Sequence, residues 1–205
     1  FPTGAVMPIG RRRELLEWAY KNDSIIIEDD YDSELRYFGR PVPAMQGIDG
    51  GRCVVYLGSF SSTLFPSIKI SYMILPDKMA DIFQKIKSNY TQTCSKSEQL
   101  TLSLFMENGM YQTNIKKLRS LYSHKLQKTL TAISACGGDS VRAVNTSSGI
   151  NIILETKLSE SAQALCAKAD DMGLDVQLAG ENTLIFYYSR IPLEKTDELI
   201  SQWLN

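Results

Sequence analysis

Two short stretches of this chain concentrate the residue types that do chemistry. The first is Asp29-Asp30-Tyr31-Asp32-Ser33-Glu34, four carboxylates and a phenol within six residues. The second is Ser59-Phe60-Ser61-Ser62-Thr63, a cluster of hydroxyls. Ser59 and Ser61 can present hydroxyls to a phosphate. An acidic run can serve an organic ligand or a hard cation. Both stretches also have a plainer reading. Asp, Ser and Thr favour turns because their side chains bond nearby backbone groups, so the first can be a solvated turn and the second a loop that caps itself.

The elements that must position these residues give the functional reading more weight. Each stretch follows a run suited to a strand. Ser24-Ile25-Ile26-Ile27-Glu28 is β-branched, and Val54-Val55-Tyr56-Leu57 is closed by Gly58 and suits a strand covered on both faces. The ends of such strands are where open α/β sheets hold ligands. The connection between the two runs is polar and rich in Gly and Pro, with little room for a long helix. A third strand is expected at Ile70-Ser71-Tyr72-Met73-Ile74-Leu75, stopped by Pro76. The strands at 25–27, 54–57 and 72–75 should share one sheet, with Asp29 and Ser59 at adjoining ends.

Helices are expected around these strands. Leu15, Leu16 and Ala19 mark the inner side of a helix at 11–21, and Arg11-Arg12-Arg13 at its start reads first as a solvated charge run, with a partner as the alternative because cations are unfavourable at a helix N-terminus. Met79, Ile82, Phe83, Ile86 and Tyr90 recur at helical spacing. Ser95-Lys96-Ser97-Glu98 has the capping-box pattern and should open a helix that ends near Asn108-Gly109. Leu118, Tyr122, Leu126, Leu130 and Ile133 line one face of a long helix, ended by Cys136-Gly137-Gly138-Asp139. The remainder reads as an α+β unit. It has strands at 140–144, 150–155, near Val176 and at 184–188, and helices at 160–171 and 194–204, with Gly173 as a C-cap.

Composition narrows the function classes. The chain has 205 residues, 43% of them hydrophobic, enough for one large domain or two small ones. Lys plus Arg number 22 and Asp plus Glu 23, a net charge of −1. A duplex-binding surface shows a basic excess, and there is none here. Cys53, Cys94, Cys136 and Cys166 form no CxxC pair and read as reduced thiols of a cytoplasmic protein. The only histidine, His124, reads as a helix-surface residue. No apolar run approaches the roughly 20 residues of a membrane span, no signal peptide is visible, and no repeat or low-complexity tract appears.

Several of these residues together resemble a known family. Phe1-Pro2-Thr3-Gly4, the run Ile27 through Asp32 to Arg36-Tyr37, Gly39-Arg40-Pro41, Tyr56-Leu57-Gly58-Ser59-Phe60-Ser61 and Leu64-Phe65-Pro66 resemble the aminotransferase-like domain of MocR-type bacterial regulators of the GntR superfamily. The acidic run followed by Arg-Tyr is the most specific part. The resemblance implies a fold-type I, pyridoxal phosphate (PLP)-dependent architecture, α/β in class, fused in the parent to a winged-helix DNA-binding domain. It implies the later half of such a subunit, with a partial large domain at 1–120, a small C-terminal α+β domain at 121–205, and the long helix as the bridge.

The resemblance also assigns roles. Asp29 would meet the pyridine nitrogen, Tyr31 the ring oxygen, and Ser59, Ser61 and Lys69 the phosphate. Lys69 stands where the family has Arg, and keeps the charge but not the bidentate fork. The family places its Schiff-base lysine directly after the Gly-Ser-Phe-Ser turn, where this chain has Ser62. Serine cannot form that bond, so no catalytic residue is assigned, and Ser62 counts only among the residues expected to line the cofactor. Arg190 falls after the last expected strand and is not given the family's substrate-carboxylate role. The resulting expectation is an effector-sensing and dimerisation domain that recognises PLP and an amino acid or amine, forms a homodimer, and contacts DNA only through a domain outside these residues. This fragment alone should hold PLP weakly or not at all. The alternatives are a true aminotransferase in which Ser62 is an engineered substitution, and a cofactor-free binding module.

Overall fold

The computed structural model describes residues 5–30, 32–37, 42–144, 146, 149–158 and 160–205. The described residues fall into two compact units. One comprises 6–34 and 42–115, and the other comprises residue 5, 35–37 and 116–205.

The first unit is built on a three-stranded sheet of β1 (Ile26–Asp30), β2 (Val54–Ser59) and β3 (Ser71–Ile74). β1 and β2 are parallel, and β3 pairs antiparallel with β2. The three expected strands therefore do share one sheet, with β2 in the middle. Alternation along β1 puts Ile26 and Glu28 on the face covered by α1 (Ile9–Lys21) and α2 (Met45–Asp49). Leu16, Ala19, Ile26, Met45, Cys53 and Val54 form the core beneath them. In β2 the neighbours Val54 and Val55, on opposite faces, are both buried. On the outer strands the second face is open, with Ile27 68% and Met73 61% exposed. α3 (Asp77–Ile86) and α4 (Lys96–Glu107) contain no buried residue.

Local chemistry corrects two expectations here. Arg11 is exposed and paired with Glu14, but Arg12 is buried against Glu28, so the basic run is not wholly a solvated face. Ser95 does precede α4, yet no capping box forms. Its hydroxyl pairs with Ser97 Oγ at 2.7 Å instead. The stop at Asn108-Gly109 is as expected, with Gly109 at φ +69°. α5 (Met110–Gly137) follows, and the division between the two units falls within it, between Ile115 and Lys116.

The second unit carries a four-stranded antiparallel sheet in the order β4-β5-β7-β6, from β4 (Val141–Val144), β5 (Ile152–Thr156), β6 (Val176–Gly180) and β7 (Thr183–Phe186). α6 (Ala162–Asp171), α7 (Thr196–Leu204) and the later turns of α5 contribute its core. Phe186 stacks on Trp203 with ring centroids 5.2 Å apart, and Trp203 Nε1 donates to Leu165 O. Ser161 caps α6 by accepting from Ala164 N, and Gly173 at φ +71° follows its end. β7 stops at Phe186, two residues earlier than expected. Tyr188 instead enters a 3-10 turn, buries its ring, and donates its hydroxyl to Gly149 O at 2.7 Å.

Candidate functional site

The parallel register of β1 and β2 fixes the geometry of the candidate site. Asp29 lies beside Leu57 and Asp30 beside Gly58, so the strands finish at the same edge of the sheet. Asp29, Leu57 and Ser59 share one face by alternation. Asp29 is exposed there and Ser59 half-buried. Asp30 lies on the opposite face, where it accepts a 3.0 Å hydrogen bond from Tyr56 Oη. Burial, and then the neighbouring Asp30 carboxylate, push the Tyr56 phenol well above its ordinary pKa.

Beyond β2 the chain makes the hydroxyl-rich turn. Thr63 N and Leu64 N both donate to Phe60 O, and Phe60 N donates to Ile70 O. Ser61 N donates to Ser59 Oγ at 3.3 Å, and Ser61 Oγ donates to Ile68 O at 2.8 Å. The self-capping reading therefore describes Ser61, whose hydroxyl proton is committed to the loop. Ser62 is half-buried in the turn and Lys69 is exposed just after it. The Tyr72 ring packs directly over Gly58, where a Cβ would lie 2.3 Å from Tyr72 Cζ and displace it. Tyr72 continues an aromatic row, 6.1 Å from Tyr56 and 5.4 Å from Phe60.

Of the sequence-assigned residues, Asp29 and Ser59 come together at one strand end, and Ser61 and Ser62 lie in the turn that follows. Tyr31 lies outside the described residues, as do Phe1 to Gly4 and Gly39 to Pro41. Among the described residues no group of three His, Cys, Asp or Glu could hold a metal ion, so the acidic run offers no such cage there. Arg190 lies after β7 in the 3-10 turn, paired with Asp175 and 5.1 Å from the Tyr187 ring. No helix among the described residues is long and apolar enough to cross a membrane.

Two buried carboxylates that support this region were missed in the sequence. Glu28 accepts from Arg12 Nη1 at 2.8 Å and from the backbone N–H groups of Met45 and Gln46 at 2.9 and 3.0 Å. It thereby ties β1 to the start of α2. Its signal was legible: it keeps parity with Ile26 in a β-branched run, and a charge at a core-facing position demands partners. Asp49 is 1% exposed and accepts from the N–H groups of Arg52, Cys53 and Val54 and from the Tyr20 hydroxyl. Nothing in its neighbourhood in sequence distinguishes it from an ordinary turn aspartate.

Known proteins resemble the chain in sequence and in fold. No family model matches the chain. Over 176 residues it is 44% identical to the uncharacterized HTH-type transcriptional regulator YdeL of Bacillus subtilis, covering 86% of this chain and 38% of that protein. Over 133 residues it is 41% identical to the probable rhizopine catabolism regulatory protein MocR of Rhizobium meliloti, covering 65% of this chain and 27% of that protein. The solved kynurenine aminotransferase of Pyrococcus horikoshii, in complex with PMP, matches the fold with a TM-score of 0.84 at 24% identity, over 99% of this chain and 52% of that one. The chain thus spans well under half the length of these regulators. With that sequence likeness and that fold, it belongs to the MocR-type regulators, in the part that has the fold-type I aminotransferase architecture.

Proposed function

We propose that this chain is the effector-sensing and dimerisation part of a MocR-type transcriptional regulator, and that within the longer protein it holds PLP without catalysing transamination. The observation that carries the reading is the placement of Asp29 and Ser59 on one face at adjoining strand ends, with a serine at the turn position where the family resemblance implies a lysine.

The donor set fits a non-covalently held ring. Asp29, exposed at the strand end, suits a protonated pyridine nitrogen, and Tyr31 is assigned to the ring oxygen. Ser59 and Lys69 suit the phosphate. Ser61 joins them only by giving up its bond to Ile68 O. When bound, the pyridoxal ring supplies an electron sink. The residues of this chain can bind and orient it, but Ser62 has no amine to bond it and no basic group to move a proton. A positioned base is typically worth about 10²–10⁴ in rate. The effector is then an amino acid or amine that is sensed without being turned over. With a net charge of −1 the chain has no overall basic excess of the kind that favours duplex binding, and the relatives are HTH-type regulators, so DNA contact belongs to a part of the parent outside these residues.

The test uses the full-length protein. Wild type should bind PLP reversibly, with no label retained after borohydride and dialysis. Ser62→Lys should retain one PLP-derived label per chain after the same treatment, read by mass spectrometry. A folded Ser62→Lys protein that stays unlabelled in excess PLP would show that the pocket differs by more than one residue, and the cofactor-free module would replace this reading.

A further inference from the structure

The turn that carries Ser59 to Ser62 is held from outside by the first turn of α5. Asn114 Nδ2 donates to Thr63 O at 2.6 Å. Tyr111 Oη lies 3.0 Å from Thr63 Oγ1, which is itself 3.3 Å from Phe60 O. A threonine hydroxyl has one proton. If it is given to Phe60 O, Tyr111 donates to Thr63, and a continuous chain runs from the helix through the turn. The Tyr111 ring also stands edge-on to Phe60, with centroids 5.8 Å apart. Thr63 is fully buried, and the only bond between it and residue 62 is a peptide. Tyr111 and Asn114, three apart, share one helix face. That face meets the carbonyl of Thr63, its hydroxyl and the ring of Phe60, three distinct groups of one five-residue turn.

We infer that Tyr111 and Asn114 are positioning residues, which set where Ser59 and Ser62 present their hydroxyls to a phosphorylated pyridine ligand. The inference rests on the proposed reading of this turn as ligand-facing. Hydrogen bonds to Ile68 O and Ile70 O tie the turn to the segment that leads into β3, and the contacts from α5 anchor it from a second side. Loss of the Asn114 bond leaves a buried carbonyl without its donor, a larger effect than loss of an exposed one.

The experiment measures PLP affinity and amide hydrogen exchange in the full-length protein, for wild type, Asn114→Ala and Tyr111→Phe. Asn114→Ala should weaken PLP binding about tenfold and speed exchange at residues 61–64 by a similar factor, with exchange in β4, β5, β6 and β7 unchanged. Tyr111→Phe keeps the ring on Phe60 and should act in the same direction more weakly. Unchanged exchange in the turn overturns the inference. Faster exchange with wild-type PLP affinity also overturns it, because the contacts would then be structural only. Absence of PLP binding by wild type instead overturns the functional reading, and the positioning role with it.

Discussion

A single carboxylate, Asp49, holds the corner where α2 meets β2. Burial alone would raise its pKa, but the N–H of Cys53, the Tyr20 hydroxyl, and the N–H groups of Val54 and Arg52 outweigh that and hold it below its ordinary value. The same contact pushes the Tyr20 phenol up to about 12, through burial first and then the hydrogen bond to Asp49. A depressed carboxylate stabilises the folded state above its unfolded pKa, and that contribution is lost as pH falls through the folded value. Asp49→Asn should therefore cost about 1.5–3 kcal/mol at neutral pH, the range for hydrogen bonds to a charged group. The gap between variant and wild type should stay constant above about pH 5 and narrow below about pH 4. Urea unfolding across pH 3–7 checks both. A gap that widens in acid would mean that another group dominates.

At the scale of elements, the paired strand ends were legible because each run is short, β-branched and closed by a turn signal. Ile25-Ile26-Ile27 and Val54-Val55-Tyr56-Leu57 announce strands, and helical periodicity announced α3 and α5. What the sequence could not show was which side chain answers which across the fold. Glu28 asked for a partner, but its partners, Arg12 and the start of α2, lie 16 to 18 residues away along the chain. Ser61 and Ser59 looked equivalent as phosphate donors until Ile68 O claimed one of them. The Ser95 cap failed for a related reason, since Ser97 offered a nearer partner than the backbone. Breaking one side of a buried ion pair leaves an uncompensated charge and costs about 3–5 kcal/mol. Arg12→Met should show a loss of that size in unfolding free energy from urea denaturation, and Arg12→Met with Glu28→Gln should recover part of it. Equal losses in the single and double variants would show that Glu28 matters for α2 rather than for Arg12.

At the scale of the whole chain, apolar surface is left bare in the first unit. Ile27 and Met73 stand open on one sheet face, and Ile82, Tyr90, Leu100 and Leu104 are each more than half exposed. Exposed apolar surface promotes association, and among the described residues the outer strands β1 and β3 leave unpaired edges as well. The 205-residue chain should therefore self-associate with rising concentration in sedimentation velocity. Ile27→Lys combined with Met73→Lys should shift it toward monomer without changing its circular dichroism. Unchanged association would place the contact on α3 and α4 instead.

The Asp49 corner also reaches the thiol of Cys53, whose Sγ lies 3.4 Å from Asp49 Oδ1. Burial and then that carboxylate push the thiol up to about 11, so almost none of it is thiolate near neutrality. Cys94, Cys136 and Cys166 are only partly buried. The molecule consequently carries its own clock. A thiol reagent in excess consumes Cys94 and Cys136 first, Cys166, whose thiol burial also pushes up, more slowly, and Cys53 only when the corner between α2 and β2 opens, so the phase assigned to Cys53 by peptide mapping times that opening.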